Sequence, residues 1–117
     1  MSSPAGVYNI VCDAGATLTR TLTYKDSAGA LVNLTGFTAR MQVRADVEST
    51  TTALALTTEN GGLTLGGALG TVLITVSATA TAALAGGSYV YDLELVAGSV
   101  VTRLVQGSFE VRPEVTR

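Results

Sequence analysis

The chain has 117 residues, a length that suits one domain, since domains cluster around ~100–150 residues. Seven basic residues against nine acidic ones leave a net charge of -2, without the basic surplus that displaces counterions from DNA or RNA, so nucleic-acid binding is disfavoured. The sequence has no histidine, which removes every Ser-His and Cys-His nucleophile pair, and a single cysteine, Cys12, which removes intrachain disulfides.

Hydrophobic residues make up 47% of the chain, but many are alanine, there is no Trp, and two Phe and four Tyr supply the aromatic area. Large side chains give the biggest burial terms, about 1.5–3 kcal/mol each, so a thin core is expected. Such a domain leans on neighbours, which points to a homo-oligomer. The start, "MSSPAGVYN", shows neither the charged nor the apolar region of a signal peptide. No apolar run approaches the ~20 residues of a membrane span. A soluble protein made in the cytoplasm is the expectation.

Thr, Val, Leu and Ala recur in short alternating runs broken by Gly, Asp and Asn, the pattern of an all-β domain. A flexible lead over residues 1–6 precedes a first strand, "VYNIVC", and a turn, "DAG". "ATLTRTLTY" places Leu18, Arg20 and Leu22 on one parity and threonines on the other. The leucines mark the core side and leave Arg20 on it. Either a bulge re-aims that arginine, or it snorkels from a sheet edge, or it turns toward a partner subunit. Asp26-Ser27-Ala28-Gly29 reads as a tight turn with glycine at the position needing positive φ.

"NLTGFTARMQVRAD" (33–46) is the clearest strand: Phe37, Ala39, Met41 and Val43 form a dry face, Thr38, Arg40, Gln42 and Arg44 a wet one. "TALALT" (52–57) and "LTL" (63–65) flank a turn at Asn60-Gly61, and "GTVLITVS" (70–77) alternates again. "SATATAALAGG" allows one helical turn ending at Gly86-Gly87, kept short by Thr79 and Thr81. The last stretch is a hairpin. A turn on Ala97-Gly98 sets Leu95 against Val100, Leu93 against Thr102 and Asp92 against Arg103. The apolar parity then switches between Leu104 and Phe109, which predicts a β-bulge at Gln106-Gly107. Pro113 ends the strand or marks an exposed edge.

About eight strands with closely spaced turns indicate a sandwich or barrel. The expected architecture is a single antiparallel β-sandwich, Ig-like or jelly-roll-like, over residues 1–117.

Candidate chemistry is sparse. Cys12 has only Asp13 beside it, which raises a thiol pKa, so it reads as a buried structural cysteine. Asp92 and Glu94, two apart on one strand, share a face and resemble an acid–base or calcium pair, yet the hairpin register already gives Asp92 to Arg103. The glycines of "NGGLTLGGALG" form no phosphate-binding motif. No catalytic, cofactor-binding or metal-binding residues are assigned. Arg40 and Arg44 on the wet face, with Val90, Val96 and Val101 on the parity of Arg103, outline instead a candidate protein interface.

Three stretches carry a resemblance: "GATLTRTLTYKDSAGALVNLTGFTARMQVR", "LTTENGGLTLGGALGTVLITVSATATAAL" and "GGSYVYDLEL…VTRLVQGSFEVRPEVTR". In order and spacing they resemble the small β-sandwich structural proteins of tailed-bacteriophage virions, including the N-terminal sandwich of baseplate upper and fibre-attachment proteins. The resemblance implies a non-enzymatic, oligomeric virion part with other virion proteins as partners, no cofactor, and synthesis in the host cytoplasm. It has no catalytic residues to carry over. The sequence stops at Arg117 without a stalk or receptor-binding head, so the expected role is a tail or baseplate adaptor or fibre anchor, or a capsid decoration protein bridging capsid subunits. A carbohydrate-binding module is a more distant option and needs exposed aromatics from Tyr8, Tyr24, Tyr89 and Tyr91.

Overall fold

The alternation in "TARMQVR" becomes a strand with Ala39, Met41 and Val43 buried and Thr38, Arg40 and Gln42 exposed. The computed structural model describes residues 6–115, and the strands along them are β1 (Gly6–Val7), β2 (Ile10–Asp13), β3 (Leu18–Thr23), β4 (Thr38–Arg44), β5 (Leu54–Thr57), β6 (Leu63–Leu65), β7 (Thr71–Val76), β8 (Gly87–Ala97) and β9 (Val100–Arg112). A 3-10 turn covers Gly67–Leu69, and one short helix, α1, covers Ala78–Ala82.

Two sheets result. The larger runs β5-β4-β8-β9, with both β1 and β2 on the far side of β9; the smaller runs β3-β7-β6. Leu18, Leu63, Val72, Ile74 and Val76 of the smaller sheet share one core with Ile10, Cys12, Met41, Val43, Leu93, Leu95, Phe109 and Val111 of the larger. The all-β class holds.

Three expectations about the first strands need correction. The pairing is not purely antiparallel: β1 and β2 run parallel to β9, Gly6 beside Val105 and Ile10 beside Phe109. The tight hairpin fixes β8 antiparallel to β9, but the N-terminal segment reaches the other edge of β9 from far along the chain, with no turn to set its direction. The expected lead over residues 1–6 therefore ends sooner, because Gly6 is already in β1; the rest of it, residues 1–5, lies outside the described residues. The expected first strand is two, interrupted at Tyr8 and Asn9, which makes nine strands among the described residues instead of about eight.

Side chains fill the interruption. Asn9 Oδ1 accepts from the Ser108 amide at 3.0 Å, and the Tyr91 hydroxyl donates to the Tyr8 carbonyl. Gly107 makes this possible: a Cβ there would lie 2.6 Å from the Tyr8 carbonyl oxygen and 2.7 Å from Asn9 Oδ1. Gly107→Ala is expected to destabilise the domain by about 1–3 kcal/mol, as overpacking does, seen as a lower urea midpoint. An unchanged midpoint would show that β1 and β2 shift freely.

The closing hairpin forms with a different register. Gly98, at a φ of 60°, and Ser99 make the turn, a two-residue geometry with glycine at its first position. Ala97 thus faces Val100, Leu95 faces Thr102, and Glu94, not Asp92, faces Arg103. A bulge exists, but at Leu104, between Arg103 opposite Glu94 and Val105 opposite Leu93. It lies earlier than expected, and Leu104 and Val105 both pack on the core as a result. Gly107 serves the close approach of Tyr8. Strand β9 ends at Arg112, directly before Pro113.

The turns behave as read. Gly29 has a φ of 85°, and Asp26 Oδ1 accepts from the Ala28 and Ala30 amides. At Asn60-Gly61 the chain leaves the larger sheet after β5 and enters the smaller one at β6. Asn60 also closes the open edge of β5, donating to the Ala55 carbonyl and accepting from the Thr57 amide. Helix α1 is capped by Ser77, whose side chain accepts from the Ala80 amide, and it ends at Ala82, before the expected glycines.

Candidate functional site

The six candidate interface residues all lie on the outer face of the larger sheet, because they share parity on β4, β8 and β9 opposite the buried residues. Three cross-strand rows order that face. Thr38, Val96 and Val101 form the row nearest the hairpin tip; Arg40, Glu94 and Arg103 form the next; Gln42, Asp92 and Gln106 form the third. Arg44 and Val90 pair one row further on.

Charges on the face are largely matched. Arg40 Nε bonds Glu94 Oε1 at 2.8 Å, and Arg103 Nε lies 3.5 Å from Asp92 Oδ2, diagonally and not across a row. Arg112 Nε donates to Asp13 Oδ1 at 2.7 Å, and that bond holds the Asp13 carboxyl below its ordinary range. Exposed pairs of this kind are screened by solvent, so their effect is more on orientation than stability. The Asp92 and Glu94 carboxylates are thereby engaged with arginines. Among the described residues no group of three or more His, Cys, Asp or Glu is placed to hold a metal ion.

The valines do not form the single patch expected. Val96 and Val101 face each other, but Val90 is six residues back along β8, about 20 Å away at strand rise, with the charged rows between. Strand geometry separates what parity alone groups. Val90 lies instead in a groove of about 550 Å³ with Val7, Gln42, Arg44, Asp46, Val47 and Arg103 on its walls.

Arg44 is the best-fixed cation there. It donates to the Ser49 carbonyl at 2.7 Å and to Gln42 Oε1 at 2.8 Å, and among the described residues no carboxylate lies within ion-pair range of it. Asp46 uses Oδ1 to accept from the Glu48 amide. Val47, the next residue after Asp46, is 83% exposed, and Val7 across the groove is 74% exposed. Sequence reading picked out Arg44 but not Asp46 or Val47, which lie past the strand end, where alternation stops giving direction.

The remaining candidates resolve into structural roles. Arg20 sits on the edge strand of the smaller sheet and donates to the carbonyls of Thr19 and of Val11 on β2, tying the edges of the two sheets together. This is the sheet-edge reading. Cys12 is buried; burial first, then Asp13, pushes its thiol pKa up. Tyr91 is in the core and its phenol is raised by burial, while Tyr8, Tyr24 and Tyr89 are partly buried against the core. The four tyrosines therefore offer no exposed aromatic groove. Thr81, buried inside α1, was not singled out: its hydroxyl donates to the Ala16 carbonyl at 2.8 Å and accepts from the Gly15 amide at 3.0 Å. No helix among the described residues is long and apolar enough to cross a membrane. Neither a protein-family model nor a curated protein matches this chain.

Proposed function

We propose that this protein is a non-enzymatic structural component of a tailed-bacteriophage virion, an oligomeric β-sandwich that acts in the tail or baseplate region as an adaptor or fibre anchor. The observation that carries the docking role is the outer face of the larger sheet. It gathers Arg40, Arg44, Val90, Val96, Val101 and Arg103 on one surface, while the opposite face is spent on the core. The virion assignment rests on the order and spacing of the three resembling stretches.

Strand order favours an Ig-like sandwich over a jelly roll. The smaller sheet's β3-β7-β6 corresponds to strands B-E-D, and the larger sheet's β5-β4-β8-β9 corresponds to C′-C-F-G of variable-type immunoglobulin domains. The parallel β1 and β2 lie on the outer edge of β9, where the first strand of variable-type domains pairs with G.

Val101, 47% exposed beside Val96, provides the test of docking. Val101→Asp should leave the isolated domain folded, with an unchanged circular dichroism spectrum, and reduce its incorporation into particles severalfold. Normal incorporation would show that this end of the face is not an interface. Electron microscopy of antibody-labelled virions tests location: label at the tail supports the adaptor role, and label over the icosahedral shell would replace it with capsid decoration.

A further inference from the structure

The corner formed by Arg44, Asp46 and Val47 carries two opposite charges without ion-pair partners among the described residues, next to an exposed valine. Both charges line the same groove, whose apolar side includes Val7 and Val90. Arg44 is held by Ser49 and Gln42 and retains three of its five guanidinium N–H donors. Asp46 retains one carboxylate oxygen beyond the one that accepts from Glu48.

We infer that this corner is a two-fold interface with a second copy of the chain, in which Arg44 of each protomer bonds Asp46 of the other and Val47 of each enters the other's groove against Val7 and Val90. The inference rests on reading this domain as an oligomeric docking part, and it names the surface that makes the oligomer. A two-fold contact requires a self-complementary patch, in which residue i meets j and j meets i. A cation and an anion lining one groove beside an exposed apolar side chain satisfy that requirement. A purely acidic or purely basic partner would match one charge and cover the other unpaired, which is costly.

Charge reversal tests it on the whole chain. Sedimentation velocity over a concentration series should show a reversible dimer for the native protein. Arg44→Glu and Asp46→Arg should each weaken dimerisation about tenfold or more, and the double variant should recover most of the loss, since the ion pairs reform with their signs exchanged. Val47→Ser, which leaves the bonds of Arg44 to Ser49 and Gln42 in place, should weaken dimerisation while the circular dichroism spectrum stays native. A protein monomeric at every concentration overturns the inference, as does a double variant no better than either single. Labelled virions separate the two readings. Virion incorporation of a monomeric protein removes this interface alone, whereas a dimer that charge reversal disrupts and restores, yet absent from virions, removes the virion role alone.

Discussion

Phe109→Ala should cost about 3–5 kcal/mol, a large part of the ~5–15 kcal/mol that holds a domain of this size together. Phe109 is the largest fully buried side chain among the described residues. It lies on β9 between Tyr89 of β8 and Ile10 of β2, and Tyr91 meets its ring edge-on, with centroids 6.3 Å apart and planes at 71°. Apart from Tyr91, the buried core is made of Val, Leu, Ile, Met, Ala and Cys12, so truncating the ring leaves a cavity between the sheets. Urea denaturation would register the loss as a lower midpoint at unchanged slope. A cost below about 1 kcal/mol would mean that the two sheets close around the gap.

Thr81→Val should cost about 1–3 kcal/mol although it hardly alters side-chain volume. Neither Gly15 nor Ala16 is fully buried, so each hydrogen bond lost costs about 0.5–1.5 kcal/mol. The Thr81 hydroxyl satisfies both, and through them joins α1 to the turn between β2 and β3. Thr81→Ser retains the hydroxyl and serves as the control; it should recover most of the loss. Hydrogen exchange at the Gly15 amide should speed up in the valine variant and stay slow in the serine one. Equal stability of the valine and native proteins would show that water takes over both bonds.

Local pattern made much of the fold legible. Alternation found β7 to within a residue at its ends and the "LTL" of β6 without error, and it placed β4 inside a longer stretch that began five residues early, because each has one face on the core and one away from it. Glycine at positive φ located the turns at Gly29 and Gly61. What stayed hidden depends on distant partners. Nothing in "VYNIVC" tells that its neighbour is "VQGSFEV", some hundred residues on, or that the two run parallel. The hairpin register slipped because Gly98 takes the first place in the turn and not the second, which moves every pair across from it. Among the site residues, strand parity put all six candidates on one surface, but it has no measure of distance along the strand, so it joined Val90 to Val96 and Val101. Asp46 and Val47 follow the last strand residue, where only the folded loop decides direction. Thr81 looks in sequence like any small polar residue of a weak helix, and its value comes from backbone groups sixty-five residues away.

The parallel pairing of β1 and β2 with β9 has a mechanical consequence. Gly6 begins one partner and Arg112 ends the other, so tension drawing these two points apart slides the strands past each other lengthwise. Their backbone bonds would resist together, in shear, where an antiparallel pair pulled from its open end peels apart one bond at a time. A pull applied at Gly6 and Arg112 would therefore load these bonds together.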